Sequence, residues 1–148
     1  MTDFSGKVAV VLGASARDGC GWAIAEGLAE KGAKVVVGAR RYEQLKVLAD
    51  RISGTPVACD ATKEDQVKAL AEVALKTYGR VDIAISTAAG SARGMIETAT
   101  TELLQAGLEA NYFNQFYFIK YMADAIKENG SIILFSSMIF PNKFSNYK

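Results

Sequence analysis

Short apolar runs alternate along this chain with longer segments in which apolar residues return every three or four positions. Val8 to Leu12 is continuously apolar and mostly β-branched, the pattern of a strand covered on both faces. Trp22, Ile24, Ala25 and Leu28 then recur at helical spacing, and Gly32 ends that helix. Lys34 to Gly38 reads as a second strand. Tyr42 to Ile52 reads as a helix with Leu45, Leu48, Ala49 and Ile52 on one face. Gly54-Thr55-Pro56 is a predicted turn and Val57 to Cys59 a short third strand. A helix over Thr62 to Tyr78 opens with a capping-box pattern, Asp65 following Thr62 by three residues, and stops at Gly79. Val81 to Ser86 is a fourth strand, and Ala88 to Thr101, small and polar, a loop. Thr100 to about Glu128 is a long helix, followed by the Asn129-Gly130 turn and a fifth strand over Ser131 to Ser136. Five strands alternating strictly with four helices predict an α/β fold, a Rossmann-like, doubly wound parallel sheet with right-handed crossovers.

Composition fits one such domain over residues 1–148, half of them hydrophobic, with no repeat or interdomain linker. Seventeen basic and sixteen acidic side chains leave a formal charge of +1. That balance provides no general attraction to nucleic acid or to an anionic membrane. Charges interrupt every apolar run before bilayer-spanning length, so a cytoplasmic protein is expected. Cys20 and Cys59 lack the spacing and the histidines of a structural zinc site and are expected to be reduced. Cys20, near a helix start, is read as a small packing residue rather than a reactive thiol. The absence of histidine removes Ser-His-Asp, Cys-His and most catalytic zinc arrangements, so acid-base chemistry falls to Tyr, Lys, Ser, Asp or Glu.

The chemistry concentrates in the turn between the first strand and helix, where Gly13, Gly19 and Gly21 are spaced Gly-x5-Gly-x-Gly. Glycines there permit positive φ and close backbone approach to a pyrophosphate, and the following helix presents free N–H groups to it. The motif is neither the G-x-G-x-x-G fingerprint nor a Walker P-loop. Cofactor choice rests on the end of the second strand, where an acidic residue bonds a ribose 2′-hydroxyl and an arginine accommodates a 2′-phosphate. Here that end is Gly38-Ala39-Arg40-Arg41, with Arg17 in the glycine turn able to approach from the other side. NADP(H) is therefore expected ahead of NAD(H), the alternative being that the two arginines only decorate the solvated start of the next helix, a reading that suits Arg41 better than Arg40. Asp60, after the third strand, is placed either to accept from an adenine amino group or to cap the next turn.

In order and spacing these residues resemble the N-terminal part of a short-chain dehydrogenase/reductase. The glycine turn resembles that family's TGxxxGxG, two residues longer and with Leu12 in place of threonine. Cys59-Asp60-Ala61 is similar to the acidic step that holds adenine. Asp82 to Gly90 is similar to DxLVNNAG, with one extra residue and without the asparagine pair. The resemblance implies that Gly13, Ser15, Arg17, Gly19 and Gly21 contact the cofactor, with Arg40, Arg41, Asp60, Ala61, Ala88 and Gly90. It also implies that Asn111 holds a water in a proton relay and that Ser137 binds a substrate carbonyl or hydroxyl. The family's Tyr-x-x-x-Lys motif, expected about a dozen residues past Ser137, has no counterpart there, since Tyr147 is followed directly by Lys148. The implied function is hydride transfer between NADP(H) and a carbonyl or alcohol, with the chain incomplete after the fifth strand. By itself it is expected to bind NADPH weakly and to turn over no substrate. The alternative is a non-catalytic NADP-binding or truncated interaction module. The fifth strand's apolar edge and the aromatic helix over residues 100–128 would need further cover, and the resemblance implies a homo-oligomer formed through that helix.

Overall fold

The computed structural model describes residues 3–92 and 94–136. Five parallel strands form one sheet in the order β3-β2-β1-β4-β5. They are β1 (Val8–Leu12), β2 (Lys34–Ala39), β3 (Thr55–Ala58), β4 (Ile83–Ser86) and β5 (Ser131–Leu134). The connecting helices are α1 (Cys20–Glu30), α2 (Tyr42–Ile52) and α3 (Glu64–Tyr78), then α4 (Thr101–Leu108) and α5 (Asn114–Ala125) between β4 and β5. β1 is central and wholly buried, which explains its uninterrupted apolar sequence. Ala9, Val11, Val35 and Val37 face Trp22, Leu45 and Leu48 of α1 and α2, while Val10, Leu12 and Val36 face the α3 and α5 side, with Leu70, Phe118 and Met122. Side-chain alternation along a strand thus makes two core layers from one apolar run.

Several element boundaries differ from the sequence expectation. β3 takes in Thr55 and Pro56 and ends before Cys59. As the sheet's outer strand it tolerates a proline that a central strand would exclude. The Thr62–Asp65 capping box does not form. Thr62 instead donates its N–H and its hydroxyl to Asp60 Oδ1 at 3.0 and 2.8 Å, and α3 begins one residue beyond Lys63 without a side-chain cap. β4 starts at Ile83 rather than Val81, and β5 stops at Leu134. The long fourth helix is interrupted by a π turn over Glu109–Phe113, so that α4 and α5 flank it, and α5 ends at Ala125.

At the amino ends of β1 and β4, Asp82 ties the sheet together. Its carboxylate, 3% exposed, accepts from Val8 N–H at 3.0 Å and from Lys7 Nζ at 3.2 Å. Arg80 adds bonds of 2.9 Å to Oδ2 and 2.6 Å to Oδ1.

Gly27, inside α1, has open space where a Cβ would stand, so it carries only the entropic disadvantage of glycine in a helix. Gly27→Ala is expected to raise stability by about 0.5–1 kcal/mol in urea unfolding. A destabilised variant would contradict that helical setting.

Candidate functional site

β1 and β4 are neighbours from which the chain departs in opposite directions, to β2 and β3 on one side and to β5 on the other. Their carboxyl ends diverge into a crevice, the usual ligand position in an open α/β sheet. A cleft of about 530 Å³ opens there, reaching from Arg40, Arg41 and Asp60 to Thr87, Gly90 and Asn114.

Its base is the glycine turn. Gly13 has φ +96°, and a Cβ on it would lie 2.6 Å from Thr87 Oγ1 and 2.8 Å from Ala88 N. A Cβ on Gly21 would lie 2.7 Å from both Gly13 O and Thr87 Oγ1. Only glycine lets these backbones meet, and Thr87 seals the contact by donating its hydroxyl to Leu12 O at 3.1 Å. Gly19, before α1, supplies no side-chain cap. The first intrahelical bond runs from Ala23 N–H to Gly19 O, which leaves the N–H groups of Cys20, Gly21 and Trp22 for an anion.

On the β2–β3 side, Arg41 Nε donates to Ser15 Oγ at 3.1 Å, fastening the start of α2 to the glycine turn. Among the described residues the two terminal nitrogens of its guanidinium carry no hydrogen bond and can meet an oxyanion. Asp60 is partly buried, which pushes its carboxyl up. Hydrogen bonds from Thr62 and the Arg40 charge outweigh that and hold it below the ordinary carboxylate value. Both Thr62 bonds fall on Oδ1, so among the described residues Oδ2 stays without a hydrogen bond. Burial, with the Asp60 and Asp65 charges, pushes the Cys59 thiol up to about 12, so this cleft residue is a neutral thiol and no nucleophile.

The far wall is built from the β4 loop and the π turn. Asn114 N–H donates to Glu109 O, five residues back, and Asn111 sends its side-chain amide to Gly107 O at 3.0 Å. Asn111 Oδ1 accepts from Gly90 N–H at 3.3 Å. Gly90 is itself packed so closely on Ala110 that a Cβ there would overlap the Ala110 Cβ.

Of the residues singled out in the sequence, Gly13, Ser15, Arg40, Arg41, Asp60, Ala61, Ala88 and Gly90 line this one cleft. Gly19 and Gly21 shape the turn beneath it. Arg17 lies 5.9 Å from the centre of the Trp22 ring, an arrangement that places its charge over α1. Ser137, Tyr147 and Lys148 lie outside the described residues. Cys20 is exposed at the first position of α1, contrary to its expected packing role. Sequence reasoning missed Thr87 and Asn114. The available signal for Asn114 was its position three residues after Asn111, one helical turn along the same face.

Known proteins share both sequence and architecture. A family model described as enoyl-(acyl carrier protein) reductase matches residues 13–148. A 12α-hydroxysteroid dehydrogenase of Clostridium sp. is 31% identical over 146 residues, covering 90% of this chain and 56% of that protein. The crystal structure of a short-chain type dehydrogenase/reductase from Mycobacterium marinum superposes with a TM-score of 0.84 at 32% identity, over 92% of this chain and 57% of that one. A 7α-hydroxysteroid dehydrogenase complexed with NADH and 7-oxo glycochenodeoxycholic acid gives 0.84 at 30% identity, over 96% and 57%. The chain thus spans little more than half the length of these relatives. A family match over residues 13–148, together with relatives 30% identical or more and of the same fold over nine-tenths of the residues, has one meaning: the chain belongs to the short-chain dehydrogenase/reductase family.

Proposed function

We propose that this chain is the cofactor-binding part of an NADP(H)-dependent oxidoreductase that moves a hydride between the dinucleotide and a small carbonyl or alcohol substrate. The observation that carries the choice of NADP(H) is the end of β2, where Arg40 and Arg41 face the cleft and no carboxylate occupies the strand end. A 2′-phosphate there meets two guanidiniums, and NAD(H) would offer them no anion.

Each part of the dinucleotide has a matching group. The uncapped N–H groups of α1 suit the pyrophosphate, and the Gly13 and Gly21 contacts give the backbone clearance it needs. Asp60 Oδ2 is available to an adenine amino group. When bound, the nicotinamide supplies or accepts the hydride. Asn111 would hold a relay water, and Ser137 would bind the substrate oxygen, both on family resemblance.

A second reading, a non-catalytic NADP-binding or interaction module, has its own observation. Leu104, Leu108, Tyr112, Phe116 and Ile119 form an exposed apolar stripe along α4 and α5, with Tyr112 at 63% exposure. Contact with a second copy through this stripe is the oligomer we propose in either reading. Among the described residues no helix is long and apolar enough to cross a membrane, and a cytoplasmic setting is part of the proposal.

Parallel titrations of NADPH and NADH, read by calorimetry, test the assignment. NADPH is expected to bind at least tenfold more tightly. Arg40→Ala is expected to cost NADPH about 1.5–3 kcal/mol, the range of a hydrogen bond to a charged group, and to leave NADH nearly unchanged, whereas Arg41→Ala, which also releases Ser15 of the glycine turn, is expected to weaken both cofactors and NADPH more. Equal losses for both cofactors would overturn the 2′-phosphate assignment. Absence of any heat of binding would overturn the cofactor reading itself.

A further inference from the structure

We infer that Asn114 is a positioning residue for the dinucleotide: its side-chain amide holds the backbone of residues 88–90 in place beneath the half of the cofactor that lies over β4. This rests on the cofactor reading above. Asn114 is 1% exposed and lines the cleft, yet lies 26 residues from the loop it grips. Its Nδ2 donates to Ala88 O at 2.9 Å and to Ala110 O at 2.7 Å, using both amide hydrogens.

The π turn makes this grip possible. In a regular α-helix, Ala110 O would accept from the backbone N–H of Asn114. Here that N–H reaches back to Glu109 O, and the Asn114 side chain takes over at Ala110 O while extending to the β4 loop. Two neighbours act on the same loop: Gln115 Nε2 donates to Ala88 O at 3.3 Å, and Asn111 Oδ1 accepts from Gly90 N–H. Three side-chain amides on one helical run therefore fix a loop whose own residues at the end of β4, Ser86 and Thr87, carry none.

The acceptor ends of the two buried amides point to a positioning role. Among the described residues, Asn114 Oδ1 and Gln115 Oε1 are buried without a hydrogen-bond partner. An amide kept only for packing or stability would be expected to satisfy both ends or to be apolar. Local rules of this kind are broken chiefly where function constrains the geometry.

Location separates this effect from that of the arginines. Arg40, Arg41 and Asp60 stand at β2 and β3, whereas residues 88–90 follow β4, across the switch point. A dinucleotide spanning the crevice lays its adenosine half on the first side and its nicotinamide half on the second. Loosening the β4 loop should then weaken the whole dinucleotide and spare the adenosine fragment.

The test is calorimetric titration of the full chain with NADPH and with 2′,5′-ADP. Asn114→Ala is expected to raise the NADPH Kd at least tenfold while changing the 2′,5′-ADP Kd less than twofold. Gln115→Ala, which loses only the longer bond, should act in the same direction by two- to threefold, and it decides the matter if Asn114→Ala does not fold. Equal weakening of both ligands, or unchanged NADPH binding, overturns the inference. A wild-type chain that binds neither ligand overturns the cofactor reading on which it rests.

Discussion

Asp82→Ala is expected to destabilise the fold by on the order of 2–4 kcal/mol, a large share of the roughly 5–15 kcal/mol that holds a typical domain together. The substitution strips the buried Val8 N–H of its acceptor at the amino end of the central strand. It also removes the shared partner of Lys7 and Arg80, whose side chains are 42% and 55% exposed and can return to water. The loss therefore comes mainly from the orphaned backbone donor and the emptied site, and Asp82→Asn, which keeps an acceptor, should cost about half as much. The same carboxylate predicts an acid sensitivity. Burial raises its pKa, but bonds from Arg80, Val8 N–H and Lys7, with the Arg80 charge, bring it down from 3.8 to about 2. A depressed folded-state pKa stabilises above the unfolded value, so this contribution is full above about pH 4 and disappears as pH falls toward 2. It amounts to roughly 2 kcal/mol. Urea midpoints measured between pH 2 and 6 should fall more steeply in the wild type than in Asp82→Ala, whose remaining decline belongs to Asp60 and other carboxylates held low by hydrogen bonds. Parallel curves for the two proteins would refute the assignment.

The central strands were legible because burial on both faces leaves only one kind of sequence for them, as in Val8–Leu12. Legibility fails where two local options compete. Thr62 and Asp65 have the spacing of a capping box, but Asp60 lies two residues before Thr62 and captures its N–H and hydroxyl first. The Pro56 turn signal is equally real and is overridden because β3 is an outer strand. The break in the fourth helix leaves no trace in the apolar pattern, since Phe118 and Met122 keep their helical spacing beyond it. Its cause is side-chain amides that compete for backbone carbonyls, at Asn111 and Asn114. The geometry of the glycine turn could be read directly because a positive φ and a close backbone approach are local demands on Gly13. The role proposed for Asn114 depends on the Ala88 carbonyl, which only the folded sheet brings near it, and asparagine in a helix carries no such message alone.

Gly13→Ala is expected to abolish measurable NADPH binding, a loss of at least a hundredfold, and to destabilise the chain by on the order of 3 kcal/mol. Two separate costs combine. A φ of +96° is one that residues with a Cβ rarely adopt. The added carbon would also stand 2.9 Å from the Thr87 carbonyl carbon and 2.8 Å from Ala88 N, backbone atoms that cannot turn aside as a side chain could. Relief requires moving the β4 loop or the glycine turn. Either movement breaks the bonds from Gly13 N–H to Gly38 O at 2.7 Å and from Thr87 N–H to Leu12 O at 2.8 Å. Those bonds set the distance between the proposed pyrophosphate seat at α1 and the loop across the cleft. Gly79 separates the two costs, because it too has a positive φ, of +76°, but open space where its Cβ would point. Gly79→Ala should therefore lose only the conformational part, about 1 kcal/mol, and bind NADPH like the wild type. Urea unfolding and NADPH titration of both variants give the comparison. A Gly13→Ala chain with wild-type affinity would show that the turn between β1 and α1 is not where the dinucleotide sits.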